Sequence, residues 1–74
     1  MIAEVIRWSN NNVMVFDECG AQIVELQGNY KDVKDKIFNA LVDAVTNGVQ
    51  PFSSVKYYHG SWKDKQLIEW NEDW

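Results

Sequence analysis

The chain of 74 residues is 46% hydrophobic and 14% aromatic, a composition typical of a compact folded domain and not of a disordered segment. Its formal net charge of −4 disfavours general binding to DNA or RNA, because Lys and Arg side chains that neutralise phosphates dominate nucleic-acid affinity. We therefore expect one small domain over residues 1–74, with a protein of basic or neutral surface as its partner.

The sequence also predicts where the protein works. Its first ten residues, MIAEVIRWSN, carry Glu4 and Arg7 where a secretory signal would need an uninterrupted apolar stretch, and no run of about 18 apolar residues could span a membrane. Cys19 is the single cysteine and cannot form an internal disulfide, so it is interpreted as an incidental thiol. These features favour a cytoplasmic protein that does not bind membranes.

Three apolar runs open the chain and are typical of strands joined as a meander. They are IAEVIRW, VMVF and AQIVELQ, at residues 2–8, 13–16 and 21–27, and they are rich in β-branched and aromatic residues. The turn signals SNNN and DECG separate them. Asparagine tolerates the left-handed backbone conformation that the first turn needs, and Gly20 can adopt it in the second.

A change to helical periodicity follows Gly28 and predicts the only helix. Tyr30, Val33, Ile37, Leu41 and Ala44 recur at helical spacing. The helix is predicted to begin after an N-cap asparagine at position 29 and to end at the Asn-Gly pair of residues 47–48.

Further apolar residues widen the apolar arc of this helix to nearly 200°, more than one sheet face usually covers. Phe38 and Val42 lie within that added arc. Two explanations remain open: Phe38 and Val42 form the interface of a homodimer, or a strongly curved sheet wraps the helix.

The last third of the chain predicts two more strands, SSVKYYH and KQLIEW, around a turn that contains Gly60. The element order is then β-β-β-α-β-β. This order predicts an α+β fold in which an antiparallel sheet of four or five strands packs on one helix.

No known catalytic or metal-binding pattern occurs in the sequence. Nucleophilic catalysis needs a base near a Ser or Cys, and His59 is the only histidine. One Cys and one His are too few ligands for a zinc site, and the phosphate-binding and hydrolase motifs are absent. We therefore expect no enzyme activity, no cofactor and no metal.

The remaining functional signal comes from aromatic residues near the C-terminus, interleaved with lysines. Stacked rings beside lysines can hold a nucleotide, whereas cross-strand pairs such as Tyr57 with Ile68 would place the rings in the core. Neighbouring strand residues face opposite sides, so we expect Tyr57 in the core and Tyr58 outside it. The predicted binding residues are Tyr58, His59, Trp62, Lys63, Glu69, Trp70, Glu72, Asp73 and Trp74.

For two of these predicted binding residues, His59 and Trp74, a role other than binding is also considered. His59 is interpreted as a solvent-facing histidine or as a hydrogen-bonding, pH-sensitive contact. Trp74 either docks onto the sheet or, with the tryptophan and carboxylates of the segment EWNEDW, anchors a partner.

Residues 8–37 resemble small uncharacterised phage and prophage proteins that carry a similar V-F-D-E-x-G-x-Q-I-x-E-L-Q-G-x-Y run. In the first turn this chain has Asn-Asn where those proteins usually have Asp-Gly. No binding residue is carried over from that family. The resemblance implies a setting, because small acidic phage proteins often act as accessory factors that block a host enzyme or immune complex.

This setting leads to one expected function and two alternatives. The expected function is a non-enzymatic counter-defence protein that occludes a host protein in the host cytoplasm through an acidic and aromatic surface. The first alternative is an oligomeric sponge that sequesters a nucleotide-type immune signal. The second is a small virion or assembly component that binds through the helix or a strand edge.

Overall fold

The computed structural model describes residues 1–68, which form one helix and five strands. The strands are β1 (Ile2–Trp8), β2 (Asn12–Asp17), β3 (Gly28–Asn29), β4 (Lys56–Ser61) and β5 (Asp64–Ile68), and the helix is α1 (Tyr30–Thr46). Two short 3₁₀ turns, Val24–Leu26 and Phe52–Ser54, complete the described elements.

The five strands form one sheet in the order β3-β2-β1-β4-β5, and α1 packs on one face of it. The predicted α+β class, with one helix on a sheet of five strands, is confirmed. The sheet is mixed and not purely antiparallel, because β1 and β4 run parallel while the other neighbours are antiparallel.

The parallel pair follows from the path of the helix. Its first residue is held beside the end of β1, where the Tyr30 amide donates to the Asn11 carbonyl oxygen at 2.8 Å. Seventeen residues at 1.5 Å each carry the chain about 25 Å back along the sheet. The next strand therefore starts at the end where β1 starts, and it runs in the same direction.

Gln50 holds the segment that follows α1 next to the start of β1. Its side chain is almost completely buried. Its side-chain oxygen accepts a hydrogen bond from the Ile2 amide at 2.9 Å, and its Nε2 donates to the Ile2 carbonyl at 2.8 Å and to Ser54 Oγ at 2.9 Å. The side chain thus bonds the backbone as a neighbouring strand would. It ties the start of β1 to the segment that leads into β4.

The first two predicted turns and both predicted helix ends are confirmed. Asn11 has a left-handed φ of 67° in the first turn, and Gly20 has a φ of 81° in the second. The Asn29 side chain caps the helix by accepting from the Lys31 amide at 3.0 Å. At the other end the Gly48 amide donates to Val45 and the Val49 amide to Ala44, the pattern of a Schellman cap.

The prediction of a third strand over residues 21–27 is wrong for most of its length. Only an isolated bridge at Gln22 and the two residues of β3 pair with β2. The backbone polar groups on the outer edge of β2 find other hydrogen-bond partners. The Val15 amide donates to the Gln27 side-chain oxygen at 3.0 Å, and the Val15 carbonyl oxygen accepts from the Ile23 amide at 2.8 Å. A glutamine side chain therefore replaces part of the strand ladder, and the backbone is free to form a 3₁₀ turn.

The core lies between α1 and the sheet, as the periodicity predicts. Val33, Ile37 and Leu41 of the helix are buried against strand residues. Tyr57 of β4 joins them with 1% of its surface exposed, which confirms its predicted place in the core. Burial raises the pKa of the Tyr57 hydroxyl well above its ordinary value, so the group stays neutral in the folded protein near pH 7.

The last hairpin turns more tightly than predicted, because its strands extend to Ser61 and from Asp64 and take Gly60 out of the turn. Gly60 lies inside β4 and pairs with Lys65, and the turn consists of Trp62 and Lys63. Gly60 has a φ of 150°, and a Cβ there would collide with the Asp64 carbonyl oxygen and lie 2.8 Å from Lys65 Cα. Only glycine allows the two strands to approach this closely.

Candidate functional site

The sheet face opposite α1, named here the open sheet face, carries large side chains from four strands. Strand pairing places Met14, Ile6, Tyr58 and Leu67 in one row across it. No helix within residues 1–68 packs on this face. The face comprises Glu4, Ile6 and Trp8 of β1, Met14 and Phe16 of β2, Lys56 and Tyr58 of β4, Lys65 and Leu67 of β5, and Trp62 in the adjoining turn.

A groove of about 480 Å³ runs over the open sheet face. Ile6 lies at its floor with only 3% of its surface exposed, because its neighbours on the same face cover it. Trp62 lines one end and is 83% exposed, the highest value among the large hydrophobic residues described. An exposed tryptophan at the rim of an apolar groove is typical of a contact surface, since burying it in a monomer would be favourable.

The charges around the groove are unequal. Its lining includes the carboxylates of Glu4, Asp17 and Glu18 but one ammonium group, that of Lys65. Glu18 lies 3.2 Å from the N-terminal ammonium, and Asp17 Oδ1 accepts from the amides of residues 19 and 21 at 2.9 Å each. The groove is therefore acidic at the end formed by the turn after β2.

Tyr58 and Lys65 form the opposite border of the open sheet face. Lys65 Nζ lies 4.8 Å from the centroid of the Tyr58 ring, within the range of a cation–π contact. Lys56 stands beside Glu4 across the parallel β1–β4 pair. This border offers a ring and two ammonium groups, and one of them, that of Lys56, is next to Glu4 in the sheet.

The structure brings some of the predicted binding residues together and separates others. Tyr58 and Trp62 lie on the open sheet face, and Lys63 is exposed beside Trp62 in the turn. His59 lies on the helix side of the sheet, where it pairs with Arg7, and is exposed. Glu69, Trp70, Glu72, Asp73 and Trp74 lie outside the described residues.

Sequence reasoning missed the half of this surface that comes from the first hairpin. Trp8, Met14 and Phe16 line the groove although none was predicted to bind. The signal was present in VMVF, where apolar residues occupy both alternating positions. A strand with two apolar faces must cover the core with one and present the other to a partner or to solvent.

The helix residues predicted to form a dimer interface are Phe38 and Val42. Both are half-buried on α1, whereas Val33, Ile37 and Leu41 are buried in the core. Half-burial is compatible with an interface and with packing inside one chain. The homodimer therefore stays a prediction.

Substituting Phe38 with glutamate tests the predicted homodimer. We expect the native protein to be a dimer in light scattering and Phe38→Glu to be a folded monomer, because the change removes apolar burial and places like charges across a two-fold axis. Asn39→Glu, at an exposed neighbouring position, is the matched control and should remain dimeric. A native protein that is monomeric at micromolar concentration contradicts the prediction.

Neither a cluster of metal ligands nor a membrane-spanning helix occurs within residues 1–68. No group of three or more His, Cys, Asp or Glu side chains there could hold a metal ion. No helix in that part of the chain is long and apolar enough to cross a membrane.

Comparison with known proteins adds no relative to this description. No family model, curated protein or solved structure matches the chain.

Proposed function

We propose that the protein is a non-enzymatic accessory protein of phage type that binds a host protein in the host cytoplasm and occludes it. The observation that carries this proposal is the open sheet face, with its apolar groove and its exposed Trp62. Tryptophan and tyrosine dominate the binding energy of protein interfaces. Trp62 and Tyr58 are therefore the residues on which binding should depend most.

The charge of the groove favours a protein over a nucleotide as the ligand. Phosphate groups would face the carboxylates of Glu4 and Asp17, with Lys65 as the cation in the lining, while Glu18 is paired with the N-terminal ammonium. Like charges at a contact cost binding energy, whereas a basic or neutral protein surface meets no such penalty. The nucleotide sponge thus remains the less favoured alternative.

The setting of this function is supported by the resemblance of residues 8–37 to small phage and prophage proteins. A chain of this size has few residues available for a catalytic site, since most of its large apolar side chains are needed for stability. Occlusion needs only a surface that competes with the natural partner of the target. We propose the open sheet face as that surface.

Affinity capture from a lysate of the host, with mass spectrometry of co-purified proteins and small molecules, tests the proposal. We expect the native protein to retain a host protein, and Trp62→Ala and Tyr58→Ala each to weaken that binding more than tenfold, about 1.4 kcal/mol. Because Trp62 is exposed, its loss should leave the unfolding transition nearly unchanged. Binding isotherms with the captured protein measure the effect.

Two control variants separate the open sheet face from the rest of the surface. Val24→Ala removes another exposed apolar side chain, which is 69% exposed and does not line the groove. His59→Gln changes an exposed residue on the helix side of the sheet. Both should alter binding less than tenfold. Native binding by Trp62→Ala, or capture of a nucleotide in place of a protein, contradicts the proposal.

A further inference from the structure

The groove on the open sheet face has an apolar floor and carboxylates at one end. These two features indicate the chemistry of the segment that binds there. We propose that it accepts a segment of the partner protein in which an apolar side chain is followed by an arginine. The inference rests on the proposed function, because it specifies the partner of the same surface. It adds the chemistry of recognition and the direction in which the segment lies.

The apolar part of the groove determines where the first side chain binds. Ile6 forms the floor, Trp8 and Met14 are its neighbours on β1 and β2, and Trp62 stands at the rim. Burying an aliphatic side chain here removes its surface and that of Trp62 from water, at about 25 cal/mol per Å². The apolar residue of the partner therefore lies toward the Trp62 end.

The other end of the groove determines where the cation binds. Glu4 pairs with Phe16 across β1 and β2, so a carboxylate and an aromatic ring stand side by side. Ala3 and Gly20 line the same region and leave room above it, because their side chains are small or absent. Among residues 1–68 the Glu4 carboxylate makes no hydrogen bond or ion pair, and its cross-strand neighbour on β4 is Lys56.

Arginine fits this arrangement better than lysine does. Its planar guanidinium can stack on the Phe16 ring and donate two parallel hydrogen bonds to the Glu4 carboxylate, while its apolar stem lies along Met14. The chain already uses the stacking contact elsewhere, since the Arg7 guanidinium carbon lies 3.6 Å from the centroid of the Tyr30 ring. A lysine ammonium would offer one point charge without the planar stacking.

Peptide binding followed by NMR tests this inference without the natural partner. The probes are acetyl-Leu-Gly-Arg-amide and the same peptide with citrulline, which has nearly the shape of arginine but no charge. We expect the arginine peptide to shift the amide signals of Met14 and Phe16 and to bind at least about fivefold more tightly than the citrulline peptide, roughly 1 kcal/mol. In Glu4→Gln, the affinity for the arginine peptide should fall to the affinity for the citrulline peptide.

A matched variant and three outcomes complete the test. Glu25→Gln removes an exposed carboxylate that does not line the groove, and it should leave the preference for arginine unchanged. Equal binding of the two peptides overturns the inference. So does an unchanged preference in Glu4→Gln, or no shift on this face at about 10 mM peptide, a concentration that would reveal even millimolar binding.

The captured host protein distinguishes failure of this inference from failure of the proposed function. If Trp62→Ala loses the host protein while Glu4→Gln binds it as tightly as the native chain does, occlusion through the open sheet face stands and the arginine assignment is wrong. If Trp62→Ala also binds normally, the proposed function is wrong as well. If Trp62→Ala and Glu4→Gln each bind the host protein more than fivefold more weakly, the result supports both the proposed function and the arginine assignment.

Discussion

Replacing Tyr57 with alanine is expected to lower the free energy of unfolding by about 3–5 kcal/mol, as truncation of a fully buried aromatic ring does. Tyr57 is 1% exposed and lies in the core cluster between β4 and the helix residues Ile37 and Leu41. A domain of this size has total stability of only about 5–10 kcal/mol. Urea unfolding monitored by tryptophan fluorescence measures the loss.

The neighbouring tyrosine is the matched control for this experiment. Tyr58 points to the open sheet face and is half-buried, so Tyr58→Ala should cost less than about 1 kcal/mol of stability. The same variant should weaken partner binding more than tenfold. Equal destabilisation by the two substitutions would show that the ring on the open sheet face contributes to folding as much as the ring in the core.

Replacing Gly60 with alanine is expected to cost about 3 kcal/mol, although the residue lies in a strand that borders the surface. The added Cβ would meet the Asp64 carbonyl oxygen and Lys65 Cα, which are backbone atoms and cannot rotate away. Positive φ and over-packing each cost about 1–3 kcal/mol. Relief requires β4 and β5 to separate, so hydrogen exchange of the Gln66 amide, which pairs with His59 of β4, should accelerate along with the loss of stability.

Gly48→Ala provides the comparison for Gly60. Gly48 has a left-handed φ of 69°, but a Cβ there would meet no atom within 4 Å. Its substitution should cost only the conformational penalty, about 1 kcal/mol. If the two glycine variants lose the same stability in urea unfolding, the close approach of β4 and β5 contributes nothing and the expectation for Gly60 is wrong.

The two largest predicted effects both fall in β4, at Tyr57 and Gly60, and together they explain how the aromatic stretch YYHGSW is used. Tyr57 secures β4 to the core, and Gly60 brings β5 close enough for Lys65 to reach the Tyr58 ring. Trp62 then stands at the turn, exposed beside the groove. We therefore expect stability to depend on Tyr57 and Gly60, and binding to depend on Tyr58 and Trp62.

Local patterns alone were enough to predict most elements of this protein. Helical spacing from Tyr30 to Ala44, the N-cap at Asn29 and the Asn-Gly ending all act within a few residues, so they identify α1 and its ends directly. Alternation along β4 also assigns Tyr57 to the core, because successive strand residues must face opposite sides. These features follow from backbone geometry and need no distant contact.

Tertiary contacts decided the rest. The parallel pairing of β1 with β4 follows from the path of the helix and is held at one end by hydrogen bonds between Gln50 and Ile2, which are 48 residues apart in the chain. The 3₁₀ turn in place of a third strand depends on Gln27, whose side chain satisfies the edge of β2. The candidate site combines residues from both hairpins, and only the insertion of β4 beside β1 places Trp62 and Phe16 in one groove. Such long-range choices depend on which partners satisfy buried polar groups and strand edges, and no local sequence window contains both partners.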